Sequence, residues 1–129
     1  MMGEGSRRTS ILQSVMPVTF KRIYESPAPE DGYRILIDRL WPRGIKKDSA
    51  KIDKWLKEIA PSHELRKWFD HDPAKWAVFE NKYVLELKKN VAWAELRNLA
   101  EQHKVVTLLF AAKDEKHNHA IILARLLNG

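Results

Sequence analysis

Residues 105–112 read VVTLLFAA, a run with no charged residue that ends against the polar block KDEKHNHA at 113–120. A run of this kind, short and apolar on both faces, is the pattern of a strand buried inside a parallel sheet. Parallel strands need crossover connections, and in open α/β sheets ligands gather outside the carboxyl ends of the strands. The block that follows therefore puts Lys113, Asp114, His117, Asn118 and His119 where a site is expected. The shorter run RILID at 34–38 leads in the same way into DRLWPRG at 38–44, which carries Arg39, Trp41 and Arg43. If the two strands run parallel, both blocks face one cleft. If they are antiparallel neighbours, the blocks lie at opposite ends of the sheet.

A chain of 129 residues with 44% hydrophobic content and five Trp is expected to form one α/β domain without covalent staples. It has no cysteine, which excludes disulfides, thiolate nucleophiles and Cys-ligated zinc and matches a reducing compartment. No apolar stretch approaches the roughly 20 residues that span a bilayer, and the N-terminus lacks the apolar core of a signal peptide. The expectation is a soluble, cytoplasmic protein with no membrane partner. The net charge of +6 makes anions the natural partners, including phosphates, nucleotides and nucleic acid. The basic residues are spread along the chain and read first as solvated helix faces, so nucleic-acid binding is expected to be weak and non-specific at most.

Residues 1–15 are polar, carry two early Gly and precede a second methionine at Met16, so they read as a loosely ordered extension ahead of a domain at 16–129. VTFKRIY at 18–24 reads as a strand near a sheet edge. The connector ESPAPEDG is too short for a parallel crossover, so the first two strands are either antiparallel or not adjacent. The next fifty or so residues read as a helical insertion between the second strand and the VVTLLFAA strand. Ile52, Trp55, Leu56 and Ile59 fit helical spacing, with Asp48 or Ser49 as N-cap and Pro61 as terminator. Ser62 caps a helix whose Leu65, Trp68 and Phe69 share a face. Asp72 and Pro73 form a cap and first-turn pair for a helix with the stripe Trp76, Phe79, Tyr83 and Leu87, and Trp93, Leu96 and Leu99 mark another. The last helix is expected from about Glu115 to Leu127, capped by Asp114.

Arg39 and Arg43 bracket Trp41-Pro42 in a stiff turn relieved by Gly44, a geometry suited to a phosphate or carboxylate, although either arginine serves equally as structural glue to Asp38 or a helix carboxylate. The first-turn amides of the last helix, with Lys113 beside them, favour an anion at the same edge. On a helix, residues two apart diverge by about 200°. Hence only one of His117 and His119 is expected to face the pocket. His71 is a candidate general acid or base, with Asp114 as its orienting group or that of another His. A metal site is not expected, because two of the available ligands, Asp72 and Asp114, are better explained as caps. Ser62 reads as a cap before a nucleophile. No GxSxG, GxxxxGK[ST] or GxGxxG occurs, which argues against an α/β-hydrolase, a P-loop NTPase and a dinucleotide fold of the common type. The residues name no cofactor and leave the oligomeric state open.

With DRLWPRG, WLKEIAPSHELRKWFDHDP and VTLLFAAKDEKHNHA in this order, the chain closely resembles the DUF488 family, in its YeaO-like branch, over residues 17–127. The resemblance implies a fold and a set of motifs and supplies no reaction. The MarR-type regulator label sometimes attached to such proteins fits poorly, since no winged helix-turn-helix pattern is present. Asp70 departs from the family pattern, which more often has Gly before His-Asp-Pro.

The leading expectation is an enzyme or enzyme-like domain that binds a small phosphorylated or nucleotide-like anion. Arg39, Trp41, Arg43, Lys113 and Asn118 would hold the ligand, and His71, Asp114, His117 and His119 would move protons. The alternative is a non-catalytic module for nucleic acid or a partner protein.

Overall fold

A computed structural model describes residues 18–129, so the extension expected at 1–15 and the start of the domain at 16 lie outside the described residues. Four strands, β1 (Val18–Arg22), β2 (Tyr33–Leu36), β3 (Lys54–Trp55) and β4 (Val106–Phe110), form one sheet in the order β1-β4-β2-β3. All three pairings are parallel. β4 is the run picked out by its apolar character, and every one of its residues is buried. β1 lies at an edge and is separated from β2 by β4, which is how a short connector joins two strands that both run parallel to β4.

The helices are α1 (Lys47–Ala50), α2 (His63–Phe69), α3 (Trp76–Lys88), α4 (Val91–Gln102) and α5 (His119–Asn128). Period-two alternation divides the strand residues between two cores. Val18, Ile35, Ile37, Val106, Leu108 and Phe110 pack with the helices, against Phe79, Tyr83 and Leu87 of α3, Leu96 of α4 and Ile122 and Leu123 of α5. Ile23, Leu36 and Leu109 point the other way and meet Trp41, Ile45 and Ile52 from the loops and Trp55 of β3. The amino end of that second face is polar. There the Asp31 carboxylate joins Lys21 at 2.9 Å and Arg34 at 2.5 Å, and Arg34 also donates to the carbonyls of Ala50 and Lys51.

Three expectations are corrected. Residues 52–59 are not one amphipathic helix: Lys54–Trp55 pairs with β2 as β3, and Lys57–Ile59 is a single 3-10 turn. The apparent helical stripe is split, with Ile52 and Trp55 in the core under the loops and Leu56 and Ile59 in the core under the helices. The helical insertion consequently lies after this added strand, between β3 and β4. Trp68 does not share the buried face of Leu65 and Phe69; it is 38% exposed, with Lys75 and Lys82 over its ring. The last helix begins at His119 rather than Glu115, and its cap is Asn118, whose side chain accepts the Ile121 amide. Asp114 closes a preceding turn by accepting the amides of Lys116 and His117. Ser62 caps α2 as read, accepting from Leu65. Asp72, followed by Pro73, instead accepts from Ala74 and caps a 3-10 turn at Pro73–Lys75 that leads into α3, and Asp48 and Ser49 lie inside α1, whose N-cap is Lys46.

Candidate functional site

β2 and β4 are parallel neighbours, so the segments leaving their carboxyl ends emerge side by side. Ile37 donates its amide to the Leu109 carbonyl at 3.1 Å, and one residue on, the Asp38 carboxylate accepts the Ala111 amide at 2.9 Å. Around this junction opens a cleft of about 700 Å³, within the range of small-ligand pockets. Residues 38–43 form one wall, α2 and the turn after it form a second, and Ala111, Ala112 and His117 to His119 form the third. Arg39, Trp41, Arg43, His71, His117, Asn118 and His119 thus share one cleft. Lys113 and Asp114 are exposed and do not line it.

The WPRG turn is pinned from several sides. Trp41 donates its indole N–H to the Ile45 carbonyl at 2.7 Å and meets Trp55 edge-on at 5.4 Å between centroids. Gly44, at φ +79°, takes a left-handed conformation that costs glycine nothing. Tyr24 donates its hydroxyl to the Arg43 carbonyl at 2.9 Å, so the backbone of Arg43 is held while its side chain is exposed. Arg39 is engaged as glue: its guanidinium donates to the Ala60 carbonyl at 3.2 Å and pairs with Glu58 at 3.6 Å. Its Nε is buried with no partner among the described residues.

His117 precedes α5, so the helical divergence argument does not apply, and both His117 and His119 line the cleft. Asp114 orients His117, its carboxylate lying 2.9 Å from Nδ1, while Trp76 meets the ring edge-on at 5.4 Å. Hydrogen bonds from the Lys116 amide and from His117 hold the exposed Asp114 carboxyl below its ordinary range. Asn118 is buried at 4% exposure and ties the loop together by donating to the Asp114 carbonyl. His71 lies at the rim at φ +55°, directly after Asp70 at φ +48°.

Reading the sequence by motif missed Asp38, His63 and Arg66. Asp38 and His119 meet at the bottom of the cleft, with His119 Nε2 3.7 Å from an Asp38 oxygen and 2.9 Å from the Ile37 carbonyl. Burial pushes the His119 imidazole below its ordinary value and the Asp38 carboxyl above its own, favouring the neutral form of each. Tyr83 stands edge-on to His119 at 6.0 Å and donates its hydroxyl to the Ile59 carbonyl at 2.6 Å. Burial pushes this phenol well up, which keeps it a donor. His63 and Arg66 arrive from α2, one turn apart on the side of the helix that faces the cleft. Asp38 had a legible signal, as the residue at which an apolar strand turns polar. Arg66 had none, because a basic residue on a short helix reads as solvated. Among the described residues no group of three or more His, Asp or Glu is placed to hold a metal ion. No helix among them is long and apolar enough to cross a membrane.

Residues 17–129 match the family model described as the inactive DUF488-N3 subclade. The chain belongs to the DUF488 family. It is 45% identical over 112 residues to the uncharacterised protein Rv3073c of Mycobacterium tuberculosis, covering 87% of this chain and 94% of that one. It is also 45% identical over 111 residues to the uncharacterised protein YeaO of Escherichia coli K12, covering 84% of this chain and 95% of that one. No solved structure matches the chain. The DUF488 match spans both strand ends and α2, so every wall of the cleft belongs to the family domain.

Proposed function

We propose that this DUF488 domain is an enzyme-like binding domain whose cleft takes up a small phosphorylated or nucleotide-like anion. One observation carries the reading. Arg43, Arg66 and Lys67 line the cleft, and among the described residues none of their charged groups has a hydrogen bond or an ion pair. Convergent, unneutralised cations over a concave, partly apolar surface suit an anion that also has a body to bury. The family description as inactive supports binding without turnover. His71, Asp114, His117 and His119 then serve the shape and charge of the pocket, and Lys113 adds only to the field outside it.

Thermal shift against inorganic phosphate, sulfate and AMP tests this, since a ligand bound only by the folded state raises its apparent stability with concentration. Concentration-dependent stabilisation that is lost in Arg43→Ala and Arg66→Ala is expected; no shift with any of the three anions overturns the reading. Nucleic acid is disfavoured as the partner because many basic side chains outside the cleft lie over tryptophan rings: Lys47 on Trp41, Lys57 on Trp55 and Arg97 on Trp93. A backbone binder would lose affinity steeply as salt rises. Submicromolar, sequence-selective binding at physiological salt, read by fluorescence anisotropy, would favour the nucleic-acid module instead.

A further inference from the structure

Depth sorts the cleft by chemistry. Arg43, His63, Arg66, Lys67 and His71 are all exposed and form a basic rim. The interior carries Phe69 and Phe79, at 7% and 3% exposure, with the side chains of Asp38 and His119 at 19% and 15%. A bare phosphate satisfied by the rim leaves most of the 700 Å³ unfilled, since a water molecule's share of liquid is only about 30 Å³ and a phosphate amounts to a few waters.

We propose that the cleft binds a phosphomonoester end-on, its phosphate at the basic rim and a hydroxylated body against Asp38 and His119, the chemistry shared by sugar phosphates and nucleotides. The inference rests on the anion-binding reading above and adds the identity of the buried part.

The interior is polar in a particular way. His119 Nε2 donates to the Ile37 carbonyl, so the neutral ring carries its proton there and presents Nδ1 as an acceptor. One Asp38 oxygen is occupied by the Ala111 amide, and the other makes no hydrogen bond among the described residues. Its nearest charged contact is His119 at 3.7 Å, beyond hydrogen-bond length. The Asp38 carboxyl lines the cleft, so its free oxygen is open to a hydrogen-bond donor. A carboxylate oxygen beside a neutral imidazole offers two acceptors, which suits hydroxyl groups on the ligand body because each brings a proton to donate. A purely apolar body would leave the second Asp38 oxygen and His119 Nδ1 without partners, which a hydroxylated body supplies.

The experiment is isothermal titration of the full chain with inorganic phosphate, phenyl phosphate, ribose 5-phosphate and AMP. Ribose 5-phosphate or AMP is expected to bind at least ~10-fold tighter than phenyl phosphate, a ratio set by one or two satisfied hydrogen bonds. Asp38→Ala, with its fold checked by circular dichroism, is expected to erase that ratio without weakening inorganic phosphate binding. The wild-type ratio is decisive even if the variant does not fold. Tighter AMP than ribose 5-phosphate supports the proposal with a nucleotide as source, and the reverse supports it with a sugar phosphate. Phenyl phosphate binding as tightly as ribose 5-phosphate overturns this inference while the anion reading stands. No binding of phosphate or of any ester removes both.

Discussion

His119 is anchored to the backbone and not to its acidic neighbour: its Nε2 lies 2.9 Å from the Ile37 carbonyl and 3.7 Å from the Asp38 carboxyl. With burial as the dominant influence, the ring titrates below its ordinary 6.5. Below that pH the unfolded chain binds a proton that the folded His119 refuses, so this contribution to stability is complete above pH 6.5 and declines as pH falls toward the lower folded value. Asp38 acts in the opposite sense. Its carboxyl is raised above 3.8, so its contribution is complete at low pH and is lost as pH rises through the raised value. Urea midpoints should therefore fall between about pH 7.5 and 5.5, and His119→Gln should flatten that fall. An equal slope in the variant would assign the pH dependence elsewhere.

Gly32 sits at φ +65°, and a Cβ there would lie 2.3 Å from the Val105 carbonyl oxygen. That carbonyl accepts the Tyr33 amide at 2.9 Å, so the neighbour that would have to move is itself part of the β2–β4 junction. Gly32→Ala should cost about 2–3 kcal/mol, the upper part of the range for backbone strain, measured by denaturant titration.

Asp70 occupies the left-handed region at φ +48°, where it ends α2. Glycine adopts this conformation freely, and Asp tolerates it better than most residues. Asp70→Gly should be neutral or stabilising by up to about 1 kcal/mol, and Asp70→Val destabilising by about 1–2 kcal/mol. A thermal-melt series across the three residues checks the order.

Arg43 and Leu108 separate site from scaffold. Leu108 is fully buried, so Leu108→Ala should cost about 2–5 kcal/mol and leave anion-induced stabilisation measurable wherever the protein still folds. Arg43 is exposed with its side chain unbonded, so Arg43→Ala should change the ligand-free stability by no more than about 0.5 kcal/mol and remove the phosphate response. Differential scanning fluorimetry with and without phosphate reads both. A large loss of ligand-free stability in Arg43→Ala would make that arginine glue.

The strands were legible because their physics is local. Val106 to Phe110 are apolar but for Thr107 and buried on both faces, as a central strand requires, and Tyr33 to Leu36 carry a shorter form of that signature interrupted by Arg34. The segment 52–59 misled because its four apolar residues serve two cores on opposite sides of the sheet, and one-dimensional spacing cannot distinguish that from one helical face. Asp114 was read as a helix cap since an Asx turn and a helix start present the same residue types; four residues later Asn118 makes the true cap. Arg39 and Arg43 were placed together by their shared turn, but which one was free depended on the carbonyls of Ala60 and Pro61, contributed by a distant segment.

The strand order has a consequence for synthesis. β1 and β2 share no hydrogen-bonded edge with each other, and β4, which bonds to both, is the last strand in the chain. Chains emerge at about 5–20 residues per second, so β1 leaves the ribosome several seconds before β4, its one sheet partner among the described residues, exists. During that interval the apolar sides of Val18, Ile35 and Leu36 have no native cover from the sheet's centre. Native pairing of β1 and β2 with the centre of the sheet therefore cannot precede the synthesis of residues 106–110.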